Sequence, residues 1–175
     1  MSKYFISTFL ILTTILFLIF SLYTNIQTER NDVFLVIEDN DVSSTSLTIA
    51  VIGDPHLPEG YENIEKFKKT LFEVKKANPD LVVFVGDYVA NPKSIKNMIK
   101  HRRSIINSFK VVDPIPRAIV LGNYESWSNP DDWLNTFKEL GVQVLENDIL
   151  KLNTNKGLVC IRGLGDFYTK RYLYI

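Results

Sequence analysis

Along the chain, short β-branched apolar runs alternate with longer segments in which apolar residues recur every three or four positions. The run 47–52, LTIAVI, is almost wholly apolar and stops at Gly53, Asp54 and His56. That pattern predicts a strand covered on both faces, with polar side chains at its carboxyl end. Beyond the loop marked by Pro58 and Gly60, Ile64, Phe67, Leu71 and Val74 share one face of a helix over 61–77, and lysines fill the other side. Pro79 and Asp80 break this helix, and 81–85, LVVFV, predicts a second buried strand ending in Gly86 and Asp87. A second helix starting near Pro92 turns Ile95, Met98, Ile99, Ile105 and Ile106 inward, with Phe109 near its end. A third apolar run, 118–121, ends in Gly122 and Asn123. Asn129 to Asp132 reads as a capped helix start and Gly141 as its stop. A strand over 142–145 follows, then a hairpin of 149–153 and 158–161 around Asn155, Lys156 and Gly157.

The first 46 residues follow a different pattern. Between Tyr4 and Tyr23 no charged residue occurs, and a run of that length crosses a hydrocarbon core of about 30 Å. No small-residue cleavage pattern follows it. Residues 1–27 are therefore expected to be an uncleaved single-pass anchor, residues 28–46 a tether with an edge strand at 33–37, and residues 47–175 the folded domain. Lys3 and the amino terminus before the run, and Glu29, Arg30 and Asp32 after it, give a weak positive-inside bias that puts the amino terminus in the cytoplasm and the domain outside.

Composition adds few constraints. Twenty basic and twenty acidic side chains cancel, so no overall field draws the protein to nucleic acid, and no nucleic-acid signature is present. The local basic run Lys100, His101, Arg102 and Arg103 reads as a solvated helix face rather than a phosphate patch. Cys160 is the single cysteine, which excludes an internal disulfide, and its apolar neighbours predict a core position.

The candidate chemistry lies at the three strand ends. They are spaced by roughly the 30-odd residues of a βαβ unit, and right-handed crossovers bring such ends to one edge of a sheet. Ligands of open α/β sheets gather at that edge. Asp54 and His56 can offer an oxygen and a nitrogen to one divalent ion, and Asp87 has two oxygens with which to bridge a pair about 3.5–4 Å apart. Asn123 adds a neutral amide oxygen. This mixture of ligands suits manganese, iron or zinc. A dinucleotide-binding module is disfavoured, because no G-x-G-x-x-G follows the first strand.

The segments IAVIGDPH, LVVFVGDYV and IVLGNYES resemble the first three motifs of the calcineurin-like metallophosphoesterases, written in that family as D-x-H, G-D and G-N-H-D/E. Together with the anchor, LENDILKL and GLGDFYT, the chain is similar to the small membrane-anchored bacterial branch. The resemblance covers about residues 47–166. It implies an α/β fold: a transmembrane helix followed by an incomplete calcineurin-like sandwich, a mixed sheet with helices on both outer faces. It also implies a two-metal hydrolase of phosphate mono- or diesters. Asp54, His56 and Asp87 would hold one ion, Asp87 and Asn123 the other. Tyr124 stands at the family's catalytic histidine position and is expected to slow chemistry more than metal binding. Glu125 is expected to orient the loop. The family's later ligands are a histidine and a G-H-x-H pair, whereas His56 and His101 are the two histidines here, which predicts a truncated chain of reduced or no activity. The competing reading is a membrane-tethered, non-catalytic binding protein. Lipid head group, nucleotide and phosphoprotein are all open as substrates, and the anchor favours lipid-linked phosphate.

Overall fold

The computed structural model describes residues 13–16, 47–154 and 157–173. Backbone contacts divide the chain into Met1–Asn40 and Asp41–Ile175. In the first unit only Thr13 to Leu16 are described, and they are helical. The rest of the expected anchor, and the tether with its edge strand, lie outside the described residues. No described helix is long and apolar enough to cross a membrane.

The second unit is a mixed α/β fold. Strands β1 (Ile49–Ile52), β2 (Leu81–Phe84) and β3 (Arg117–Ile119) form a parallel sheet in the order β1-β2-β3. Val51 lies opposite Val83, and Val83 opposite Ala118. Helix α1 (Tyr61–Lys76) links β1 to β2. Between β2 and β3 run a 3-10 turn at Pro92–Ser94, helix α2 (Met98–Ser108) and a second 3-10 turn at Phe109–Val112. After β3 come the short α3 (Asn123–Trp127) and α4 (Pro130–Glu139). An antiparallel hairpin of β4 (Asp148–Thr154) and β5 (Gly157–Gly163) follows.

Local chemistry accounts for most of these boundaries. In α1, Glu62 in the first turn and Lys75 and Lys76 in the last complement the helix dipole. The Asn97 side chain accepts the Lys100 N–H and starts α2 there rather than near Pro92. Asn129 precedes α4 as expected but makes no side-chain cap, because its backbone is turned to φ 81°.

A sequential strand order with right-handed crossovers carries successive connections over the same face. The core lies on that face. Ile64, Phe67 and Leu71 of α1, Ile105 and Ile106 of α2, and Trp133 and Phe137 of α4 cover Val82, Phe84 and Ile119. Phe109 sits at its centre, 4.3 Å from the Phe84 ring and 5.1 Å from Tyr88. Two expectations therefore fail among the described residues. Helices cover one face of the sheet, not two, and β1 is not buried on both faces, since Val51 is 65% exposed.

Further corrections share a cause, which is that burial depends on what folds over a residue. Val142 and Leu145 are buried, yet 142–145 forms no strand, because the segment makes one sheet-like bond, Leu145 N–H to Ile119 O. Cys160 is exposed on the hairpin, and Ile99 is exposed on α2. The basic run is split. Lys100 and Arg103 are exposed, whereas His101 and Arg102 are buried. Arg102 lies over the Trp133 ring with Nη1 3.5 Å from Asp132 Oδ2.

Candidate metal centre

The loops after β1 and β2 are joined along their length. Asp54 N–H donates to Gly86 O, His56 N–H to Asp87 O, Leu57 N–H to Tyr88 O, and Ala90 N–H back to Leu57 O. This ladder brings Asp54, His56 and Asp87 together, and a donor atom from each lies within 4.8 Å of the others. His56 Nε2 is 3.7 Å from Asp54 Oδ1 and 3.9 Å from Asp87 Oδ2.

All three residues have left-handed backbone, with φ of 50° at Asp54, 39° at His56 and 53° at Asp87. Side chains other than glycine rarely adopt it, and such strain gathers where function holds it in place. Substituting Asp54 with glycine is accordingly expected to have opposite effects on stability and ligation. The Asp54 side chain is largely exposed, so relief of backbone strain should leave the melting temperature unchanged or raise it by the equivalent of about 1 kcal/mol. Affinity for Mn²⁺ should fall. A thermal melt and a calorimetric titration on one sample read both, and a lower melting temperature would refute the strain assignment.

The third strand end completes the centre. Tyr124 N–H, in the first turn of α3, donates to Asp87 Oδ1 at 3.0 Å, which leaves Oδ2 facing His56. Gly122 packs so closely that an added Cβ would lie 2.2 Å from Asp87 Oδ1. Asn123 is thereby placed beside Asp87, at the start of α3, a helix that strand patterning did not anticipate. The Tyr124 ring meets His56 edge-on at 4.5 Å.

Glu125 holds these loops in register. Fully buried, it accepts N–H bonds from Asp87 at 2.8 Å and Gly122 at 3.0 Å on Oε2, and from Tyr88 at 2.8 Å and Val89 at 3.1 Å on Oε1. Burial pushes its carboxyl above the ordinary range, and the N–H donors, led by Val89 and Gly122, partly offset that. Its expected role in orienting the loop agrees with these bonds. His101 stands apart from the metal-capable group. Its Nε2–H donates to Leu57 O at 2.9 Å, beneath the His56 loop. What sequence reading missed is aromatic: Trp127, one turn after Tyr124 on α3, continues the row of rings, and the signal was that i, i+3 spacing.

Two carboxylates and an imidazole converging on one point fit a divalent cation of the manganese, iron or zinc type. The model of the calcineurin-like phosphoesterase family matches residues 47–173, from β1 to beyond β5. No curated protein matches the chain. Because that match spans well over half of the sequence, the chain belongs to the calcineurin-like phosphoesterase family.

Proposed function

We propose that the protein is a metal-dependent phosphoesterase hydrolysing phosphate mono- or diesters. The observation that carries this reading is the convergence of Asp54, His56 and Asp87 on three left-handed residues at adjoining strand ends. In it, Asp54, His56 and Asp87 hold one divalent ion, while Asp87 and Asn123 hold a second. When bound, such ions polarise a phosphoryl oxygen and make water nucleophilic at neutral pH.

The protein's own residues do the rest. Tyr124 N–H fixes one oxygen of Asp87 and so sets the direction of the other. Glu125 ties Asp87, through its backbone, to the start of α3. Among the described residues the second ion has two ligands, Asp87 and Asn123, against three for the first, so it is expected to bind the more weakly of the two. The uncharged run from Tyr4 to Tyr23 supports a membrane-anchored placement, and the flanking Lys3 on its amino-terminal side favours the domain outside the cytoplasm.

The test is Mn²⁺ calorimetry on the full chain alongside hydrolysis of p-nitrophenyl phosphate and its bis-ester. Hydrolysis should require Mn²⁺ and stop with chelator. The Asp87→Asn substitution should weaken Mn²⁺ binding by about 100-fold, since loss of even an outer-shell partner costs 10–100-fold. A parent chain that binds no Mn²⁺ would remove this reading.

A further inference from the structure

From the candidate metal centre a row of aromatic rings leads outward. His56 meets Tyr124 at 4.5 Å, Tyr124 meets Trp127 at 5.1 Å, and Trp127 meets Tyr168 edge-on at 6.1 Å. The outer rings are not core residues: Trp127 is 56% exposed and Tyr168 75%. Beyond them lies an open concavity of about 400 Å³ lined by Phe167, Tyr168, Lys170 and Tyr172. We infer that this row is a stacking subsite for a planar aromatic group esterified to the phosphate, a nucleobase or another aryl group. The inference rests on the phosphoesterase reading for the placement of the phosphate.

The segment that presents Tyr168 and the concavity is firmly built. Asp166 Oδ2 accepts both the N–H and the hydroxyl of Thr169, and Asp166 O accepts Arg171 N–H. The Arg171 guanidinium forks onto both oxygens of Glu146. The Asn147 amide donates to Arg171 O and accepts from Gly165 and Leu173. Gly165 has no room for a side chain, since a Cβ would lie 2.3 Å from Arg171 O. The backbone that carries Tyr168 is thus held in place before any ligand arrives, which lowers the ordering cost of binding.

The chemistry of the row selects the ligand. His56 with Tyr124 and Trp127 with Tyr168 meet edge-on, and Tyr124 is tilted by 42° to Trp127, so ring faces stay open to stack on another ring. Lys170 sets a cation beside them, where it attracts the π electrons of an aryl group. An acyl chain would gain most from an enclosed apolar cavity, and this one is open. A sugar would need several hydroxyl partners, and the lining offers one amine and the two phenol hydroxyls of Tyr168 and Tyr172, with Phe167 stacked on Tyr172 at 4.8 Å. The subsite thus favours an aromatic phosphoester over the lipid-linked phosphate that the anchor suggests.

Calorimetry on the full chain with Mn²⁺ present, titrating AMP, phenyl phosphate, glycerol 3-phosphate and glucose 1-phosphate, tests the subsite. AMP and phenyl phosphate should bind about ten-fold more tightly than the other two, within the range that stacking on one aromatic side chain supplies. Trp127→Leu and Tyr168→Leu alter exposed rings, so the fold should persist. Each should remove most of the aromatic preference, while affinity for Mn²⁺ and glycerol 3-phosphate stays unchanged. AMP ahead of phenyl phosphate would identify a nucleobase, and parity a simpler aryl group. Equal affinity for all four, no binding of any, or a preference that survives both substitutions would overturn the subsite. Mn²⁺ binding measured alone separates the two readings. A chain that binds Mn²⁺ without aromatic preference keeps the phosphoesterase and loses the subsite. One that shows the preference without binding Mn²⁺ keeps the subsite and loses the phosphoesterase.

Discussion

Replacing Glu125 with alanine should destabilise the domain by about 4 kcal/mol, because it strands four backbone N–H groups at once, two buried and two partly buried. The donors belong to Asp87, Tyr88, Val89 and Gly122, and the carboxylate that serves them is fully buried. Each buried N–H left unpaired costs roughly 1–3 kcal/mol. Water entering the space vacated by the side chain would recover part of that, so the net loss is smaller than four full penalties. At roughly 3–5 °C per kcal/mol for a domain of this size, the melting temperature should fall by about 15 °C. Mn²⁺ affinity should drop as well, by about 10–100-fold, because the backbone of Asp87 loses its anchor. Glu125→Gln should fall between parent and alanine variant. Its carbonyl still serves two of the N–H groups, while its amide faces the other two as a donor. Thermal denaturation followed by circular dichroism reads the series. An alanine variant melting within about 2 °C of the parent, less than the equivalent of 1 kcal/mol, would show that Glu125 does not hold these loops.

The second large effect is expected at Gly86. Its φ of 97° lies where side chains are strained. An added Cβ would also sit 2.4 Å from Gly122 N, 2.7 Å from Gly122 Cα and 3.0 Å from Leu121 C. All three are backbone atoms leading into α3, so nothing flexible can give way. Gly86→Ala should therefore cost about 3 kcal/mol or more, combining backbone strain with displacement of the third strand end. Gly53 provides the comparison. It precedes Asp54 as Gly86 precedes Asp87, but its Cβ would meet only Cγ2 of the partly exposed Val85 side chain, at 2.8 Å. Gly53→Ala should cost about 1 kcal/mol or less, a surface-type change. Urea denaturation of the two variants side by side decides it: equal losses would mean that the close approach of Gly86 to Gly122 does not support the fold.

The two glycines also show how far the sequence could be read. By itself it determined the strand ends. Three apolar runs, each closed by glycine and a polar residue, are local signals, because a strand interior needs apolar side chains and its end needs a breaker. Regular spacing then left little choice but a parallel sheet with Asp54, His56, Asp87 and Asn123 along one edge. The amphipathic pattern of α1 was legible for the same reason: one helix face carries its own record of burial.

Only the tertiary structure decided what required knowing which segments come to lie against which. Gly53-Asp54 and Gly86-Asp87 are alike on paper, yet of the two glycines the backbone leading into α3 crowds Gly86 alone. Within one basic run, Lys100 and Arg103 face water while Arg102 lies buried over Trp133, because α4 packs across that part of α2. His101 lies buried beneath the His56 loop and supports it through Leu57 O. Cys160 and Val51 read as core residues and are exposed, since a two-stranded hairpin and an edge strand bury fewer side chains than apolar patterning implies. Glu125 was legible as a loop-orienting residue, but its four bonds link positions 36 to 38 residues apart with one only three away. Local pattern records propensity and periodicity. Burial, strain and hydrogen-bond satisfaction are set by contacts between distant segments, and the fold alone brings those together.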